Sequence, residues 1–98
     1  MILNSDRVIA VEDIFGTNKM ITKIGKIKSK FNNLIFVKSK KSNQLDEIDF
    51  PVIGIDTLNL LIKYKFRVIC LFKNNTIISE KEKFLKRIRD NKISLIVL

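Results

Sequence analysis

No histidine occurs in this 98-residue chain and cysteine occurs once, so acid/base or metal chemistry rests almost entirely on carboxylates. Asp46, Glu47 and Asp49 fall within residues 44–54, between a lysine-rich run and the turn-forming Pro51 and Gly54. In an extended segment Glu47 and Asp49 project to one side and Asp46 to the other. Hard oxygens grouped in this way suit Mg²⁺, which commonly binds through one or two carboxylates with phosphate and water completing the shell. The same residues also fit a solvated acidic loop that balances Lys38, Lys40 and Lys41, and spacing alone leaves both readings open.

A second group sits near the start of the chain. Glu12 and Asp13 end the run Val8-Ile9-Ala10-Val11, just before Gly16-Thr17. A helix beginning there would turn its first backbone N–H groups toward a phosphate, with glycine permitting close approach. A helix start with no ligand uses the same residues.

The elements that must position these groups are legible in the hydrophobic pattern. Residues 7–11 form a β-branched run and predict a strand, and Gly16-Thr17 then starts a helix. Met20, Ile24, Ile27 and Phe31 recur at helical spacing, with Lys19, Lys23, Lys26 and Lys30 as the adjoining stripe. Gly25 costs about 1 kcal/mol against alanine within such a helix. Residues 33–38 predict the next strand. After Gly54, Asp56 or Thr57 is the expected cap of a helix carrying Leu58, Leu61, Ile62 and Tyr64 on its apolar side. Arg67-Val68-Ile69-Cys70-Leu71-Phe72 reads as a buried strand, with Cys70 as a small core hydrophobe. Asn74-Asn75 signals a turn and Thr76-Ile77-Ile78 a short strand. Ser79 and Glu82 are spaced as a capping box for a helix with Phe84, Leu85 and Ile88 on its buried stripe, and residues 93–98 form a closing apolar strand. Alternation of this kind predicts an α/β or α+β fold, a single small layered domain with a mixed sheet and about three helices.

Composition narrows the class. With 46% hydrophobic and 30% charged residues the chain is expected to be an ordinary folded domain. A lone cysteine allows no internal disulfide and agrees with a reducing compartment. The first residues lack a signal-peptide pattern, and no apolar run approaches the roughly 20 residues that span a bilayer. The net charge of +9 invites a nucleic-acid reading. Against it, the arginines are only Arg7, Arg67, Arg87 and Arg89, aromatics are few and no recognition motif is present, so nucleic acid is not the expected partner. Abundant lysine, isoleucine and asparagine also match the codon bias of an AT-rich genome.

Taken together, Val8-Ile9-Ala10-Val11-Glu12, Gly16-Thr17, Met20, Val37-Lys38, Lys41, Gln44, Asp49, Pro51, Ile53, Gly54 and Thr57 resemble the C-terminal domain of the LpxI-type UDP-2,3-diacylglucosamine pyrophosphatases of lipid A biosynthesis. The resemblance runs from about Arg7 to the end of the chain. It departs at Phe15, where the family usually has glutamate, at Asn18 (aspartate), at Ser42 (proline) and at Leu45 (aspartate). What it implies is a Mg²⁺-dependent hydrolase that splits the diphosphate of UDP-2,3-diacylglucosamine into UMP and 2,3-diacylglucosamine 1-phosphate.

On that resemblance Asp49 is the first expected metal-linked or water-orienting carboxylate and Glu12 the second; at Leu45 two readings stand, that Asp46 compensates after a local shift or that a functional acid is missing. Lys38 and Lys41 would counter phosphate charge, Gly16 and Thr17 would approach the ligand through the backbone, and Gln44 and Thr57 would bind substrate. The family's N-terminal domain does not accompany this sequence, so a separately encoded N-terminal partner is expected for activity. The lipid substrate implies a cytoplasmic protein in peripheral contact with the inner membrane, and homo-oligomerisation is compatible with the reading. A basic nucleic-acid module and a domain that keeps the fold without activity stand as the alternatives.

Overall fold

The computed structural model describes residues 1–27, 33–38, 52–72 and 76–98. Its main sheet has five strands in the order β2-β1-β3-β5-β7. These are β1 (Ile2–Asn4), β2 (Arg7–Ala10), β3 (Leu34–Lys38), β5 (Val68–Leu71) and β7 (Ser94–Val97). The short strands β4 (Val52–Ile53) and β6 (Ile77–Ile78) pair in parallel as a separate two-stranded sheet. Three helices complete the described residues: α1 (Thr17–Gly25), α2 (Ile55–Lys63) and α3 (Lys81–Asp90). The expected α/β class with a mixed sheet is what the chain forms.

Topology decides where the helices lie. β3, β5 and β7 are parallel neighbours, whereas β1 runs antiparallel to both β2 and β3. A parallel pair needs a crossover, and α2 and α3 supply those joining β3 to β5 and β5 to β7. Both crossovers step the same way across the sheet, so right-handed connection places both helices on one face. α1 packs against α2, and α2 against α3, which completes one helical layer.

The core lies between that layer and the sheet. Ile2, Phe36, Ile69 and Leu71 from the strands meet Ile21, Leu58, Leu61 and Phe84 from the helices, all fully buried. Alternation along β3 sends Leu34 and Phe36 to this side and turns Ile35 to the other. Cys70 is a free, buried thiol, as its apolar run predicted.

Several local expectations are corrected. β1 was not foreseen, because three residues are too short for period-two alternation to register. The residue capping α2 is Gly54, not Asp56 or Thr57, and the helix starts at Ile55. The capping box does not form: α3 is capped one residue later by Glu80, in the left-handed conformation at φ 52°, with no side-chain cap hydrogen bond. Leu85, expected on the buried stripe of α3, is 37% exposed, while Phe84 and Ile88 carry the contact. α1 ends at Gly25, so Ile27 lies beyond the helix and is exposed, and the expected stripe positions Lys30 and Phe31 lie outside the described residues. The turn at Asn74-Asn75 is also outside them.

Gly25 acquires a specific reason. A Cβ there would run into the ring of Tyr64, the residue that ends α2, so glycine lets α1 and α2 pack closely. Alanine's helix-propensity advantage of about 1 kcal/mol is therefore outweighed by an overpacking cost of about 1–3 kcal/mol. Gly25→Ala is expected to lower the thermal midpoint, and the same change made in a Tyr64→Ala background should be neutral or stabilising. Thermal unfolding of the four proteins checks this, and equal destabilisation in both backgrounds would rule the contact out.

Candidate functional site

The parallel strands deliver their carboxyl ends to one edge of the sheet, and the groups with chemical potential collect there. β3 ends at Lys38. β2 runs antiparallel to β1, and therefore parallel to β3, so Glu12 just beyond it reaches the same edge. The loop after Glu12 is held by Asp13, whose Oδ1 accepts the Phe15 N–H at 2.9 Å and whose carbonyl accepts the Gly16 N–H at 3.2 Å. Gly16 takes φ 92° and ψ 176°, a conformation open almost only to glycine, and so turns the chain into α1. Among the described residues, a Cβ at Gly16 would meet nothing within 4 Å.

Three side chains then converge. The Thr17 hydroxyl donates to Glu12 Oε1, Lys38 Nζ donates to Thr17 Oγ1 at 2.9 Å, and Lys38 Nζ lies 3.5 Å from Glu12 Oε1. The Lys38 and Glu12 side chains are only 13% and 18% exposed, so their attraction is less screened than that of a surface pair. The Met1 ammonium lies in the same field and donates to the Val37 carbonyl at 3.0 Å. Its pKa is held below the ordinary 8.0 chiefly because burial penalises the charged form; Glu12 opposes that shift and Lys38 adds to it.

Helix ends reinforce the positive character of this edge. α1 has no side-chain cap hydrogen bond and no acidic residue in its own first turn, and Glu12, bonded to Thr17, is the carboxylate beside its positive end. α2 aims its N-terminus the same way, since its C-terminal end feeds Arg67, whose N–H bonds the Leu34 carbonyl at the start of β3. The two helix starts are tied together by Thr57 Oγ1, which donates to Asn18 Oδ1 at 2.7 Å. A groove of about 910 Å³ adjoins α1 and is lined in part by Val11, Phe15, Lys19 and Lys23.

Of the residues expected from sequence, Glu12, Gly16, Thr17 and Lys38 are brought together, and Thr57 stands next to them on α2. Asp46, Asp49, Lys41 and Gln44 lie outside the described residues. Sequence reasoning assigned Thr17 a backbone role, and the fold engages its hydroxyl between Glu12 and Lys38. Asn18 was singled out from sequence only as a departure from the family's aspartate, and its role in positioning Thr57 was not expected. Among the described residues no cluster of three or more His, Cys, Asp or Glu could cage a metal. No described helix is long and apolar enough to cross a membrane.

The family model described as the LpxI C-terminal domain matches residues 1–96. No curated protein matches the chain.

The shared bonding of Glu12, Thr17 and Lys38 predicts energetic coupling. Hydrogen bonds to charged groups are worth about 1.5–3 kcal/mol, and a partly buried charge left without its partner costs a similar amount. Lys38→Met and Glu12→Gln are each expected to destabilise the fold, and the double variant to lose less than their sum. A double-mutant cycle by urea denaturation measures this, and strict additivity would exclude the coupling.

Proposed function

The chain belongs to the LpxI C-terminal domain family of lipid A precursor biosynthesis, and from that premise we propose that it supplies the phosphate-handling part of a UDP-2,3-diacylglucosamine pyrophosphatase. The reaction is Mg²⁺-dependent hydrolysis of the diphosphate, giving UMP and 2,3-diacylglucosamine 1-phosphate, in company with a separately supplied N-terminal domain. The single observation that carries this reading is the Glu12–Thr17–Lys38 cluster at the N-terminus of α1, at the carboxyl edge of the parallel strands. Open α/β sheets bind ligands at that edge.

Each group has a task in the proposed site. Backbone N–H groups at the start of α1 receive phosphate oxygens, with Gly16 adding no side chain there. Lys38 offsets diphosphate charge as a point charge, joined by Lys41, while Gln44 and Thr57 contact the substrate. Asp49 orients the attacking water and takes its proton, and Asp46 stands in for the acid missing at Leu45. Thr17 keeps Glu12 aimed at the cluster.

Glu12 fits a hard cation. Mg²⁺ is commonly bound by one or two carboxylates with substrate phosphate and water, so an all-protein cage is not required. Glu12 and Asp49 are the proposed ligands. When bound, the ion would neutralise phosphoryl charge and acidify a water molecule.

Release of UMP from UDP-2,3-diacylglucosamine, measured with the chain alone and with the N-terminal domain added, tests the proposal. Turnover is expected only in the combined sample, lost on chelation and restored by Mg²⁺. Asp49→Asn and Glu12→Gln should each lower it by about a hundredfold or more, with circular dichroism unchanged. No UMP under either condition would overturn the assignment.

A further inference from the structure

At the edge of the sheet where the parallel strands begin, a group of cations takes no part in the site described above. A pocket of about 260 Å³ opens there, lined in part by Lys65, Arg67, Asn91 and Lys92. Lys65 and Arg67 lie in the turn from α2 to β5, and Asn91 and Lys92 in the turn from α3 to β7. Among the described residues no acid lines the pocket, and none of its three cations has an ion-pair partner.

Both turns are built alike. The Lys65 N–H bonds the Ile62 carbonyl at 3.1 Å and the Phe66 N–H the Leu61 carbonyl at 2.9 Å. In the second turn the Lys92 N–H bonds the Arg89 carbonyl at 3.2 Å and the Ile93 N–H the Ile88 carbonyl at 3.1 Å. These bonds occupy carbonyls at each helix end that would otherwise repel an anion. Lys65 and Lys92 take the left-handed conformation, at φ 61° and 56°. Glycine is the usual residue at such a position, and any other side chain is strained there. Complementing the helix dipoles does not require these lysines, since Lys63 of α2 and Arg87 and Arg89 of α3 already stand in the last turns. Two strained lysines therefore line one pocket together with an arginine.

We propose that this pocket is a binding site for a single phosphate group, held by Lys65, Arg67 and Lys92. Cations gathered without acids repel one another, and a multiply charged anion removes that cost. Arg67 supplies a planar fork that meets phosphate oxygens in pairs, and the lysines add point charges. The volume falls below the roughly 300 Å³ at which pockets for whole small molecules begin, so it fits a phosphate group with its water rather than a nucleotide. Lys38 ends β3 at the opposite edge, so the inference stands without the reaction proposed above.

Backbone amide NMR of the intact chain, titrated with inorganic phosphate and separately with sodium chloride at equal ionic strength, tests the site. Saturable shifts are expected from phosphate alone at residues 65–67 and 91–93, in the millimolar range. The double variant Lys65→Gly, Lys92→Gly relieves both left-handed positions, and should weaken binding by about tenfold or more while keeping or raising the thermal midpoint. Arg67→Gln should also weaken it, with native circular dichroism. Phosphatidic-acid vesicles carry the same group on a lipid, so cosedimentation with them, set beside the titration, separates a headgroup from a free ion. Phosphate shifts confined to residues 12–18 with no vesicle binding overturn the proposal. A double glycine variant that binds as tightly as the parent overturns it too, as does chloride that reproduces the shifts.

Discussion

Two parallel strands cannot be joined by a tight turn, and that constraint arranges the rest of this domain. Each return from β3 to β5 and from β5 to β7 spends a helix, and the common direction of travel stacks those helices on one face. Their N-termini then have no choice but to gather with the strand carboxyl ends. A positive edge is thus a consequence of connectivity, before any side chain is considered.

Side chains refine that edge. Lys38 continues the alternation of β3 and ends it in a partly buried position, where a lone ammonium would be costly. Glu12 offsets this from the end of β2, and Thr17 joins both from the first turn of α1. The end of β2 and the start of α1, neighbours in sequence, are therefore locked to the end of β3 by one small polar cluster. Its geometry keeps a carboxylate and a cation side by side at the start of α1.

Much of the layout was legible without coordinates. Leu34-Ile35-Phe36-Val37 and Val68-Ile69-Cys70-Leu71 are continuous apolar runs because their strands lie in the interior of a largely parallel sheet. Met20 and Ile24, like Leu58 and Leu61, recur at helical spacing because one face of each helix meets the core. Helix starts were less legible. Ser79 and Glu82 have the right identities for a capping box, yet Glu80 adopts the left-handed conformation and starts α3 one residue later. Local propensity there yields to the path imposed by the β4–β6 pairing, in which the Ser79 N–H is bound to the Ile53 carbonyl at 2.9 Å.

By itself the sequence determined the α/β class, the alternation of elements and the short roster of residues able to do chemistry, because periodicity and residue type are local properties. It also carried the family resemblance through Glu12, Gly16-Thr17 and Lys38. Only the tertiary structure decided that Thr17 contributes its hydroxyl, that Asn18 links α1 to Thr57, and that Gly25 makes room for Tyr64. Those relations join residues separated by as many as 39 positions, and no local pattern encodes which of many polar side chains will meet once the helices have packed.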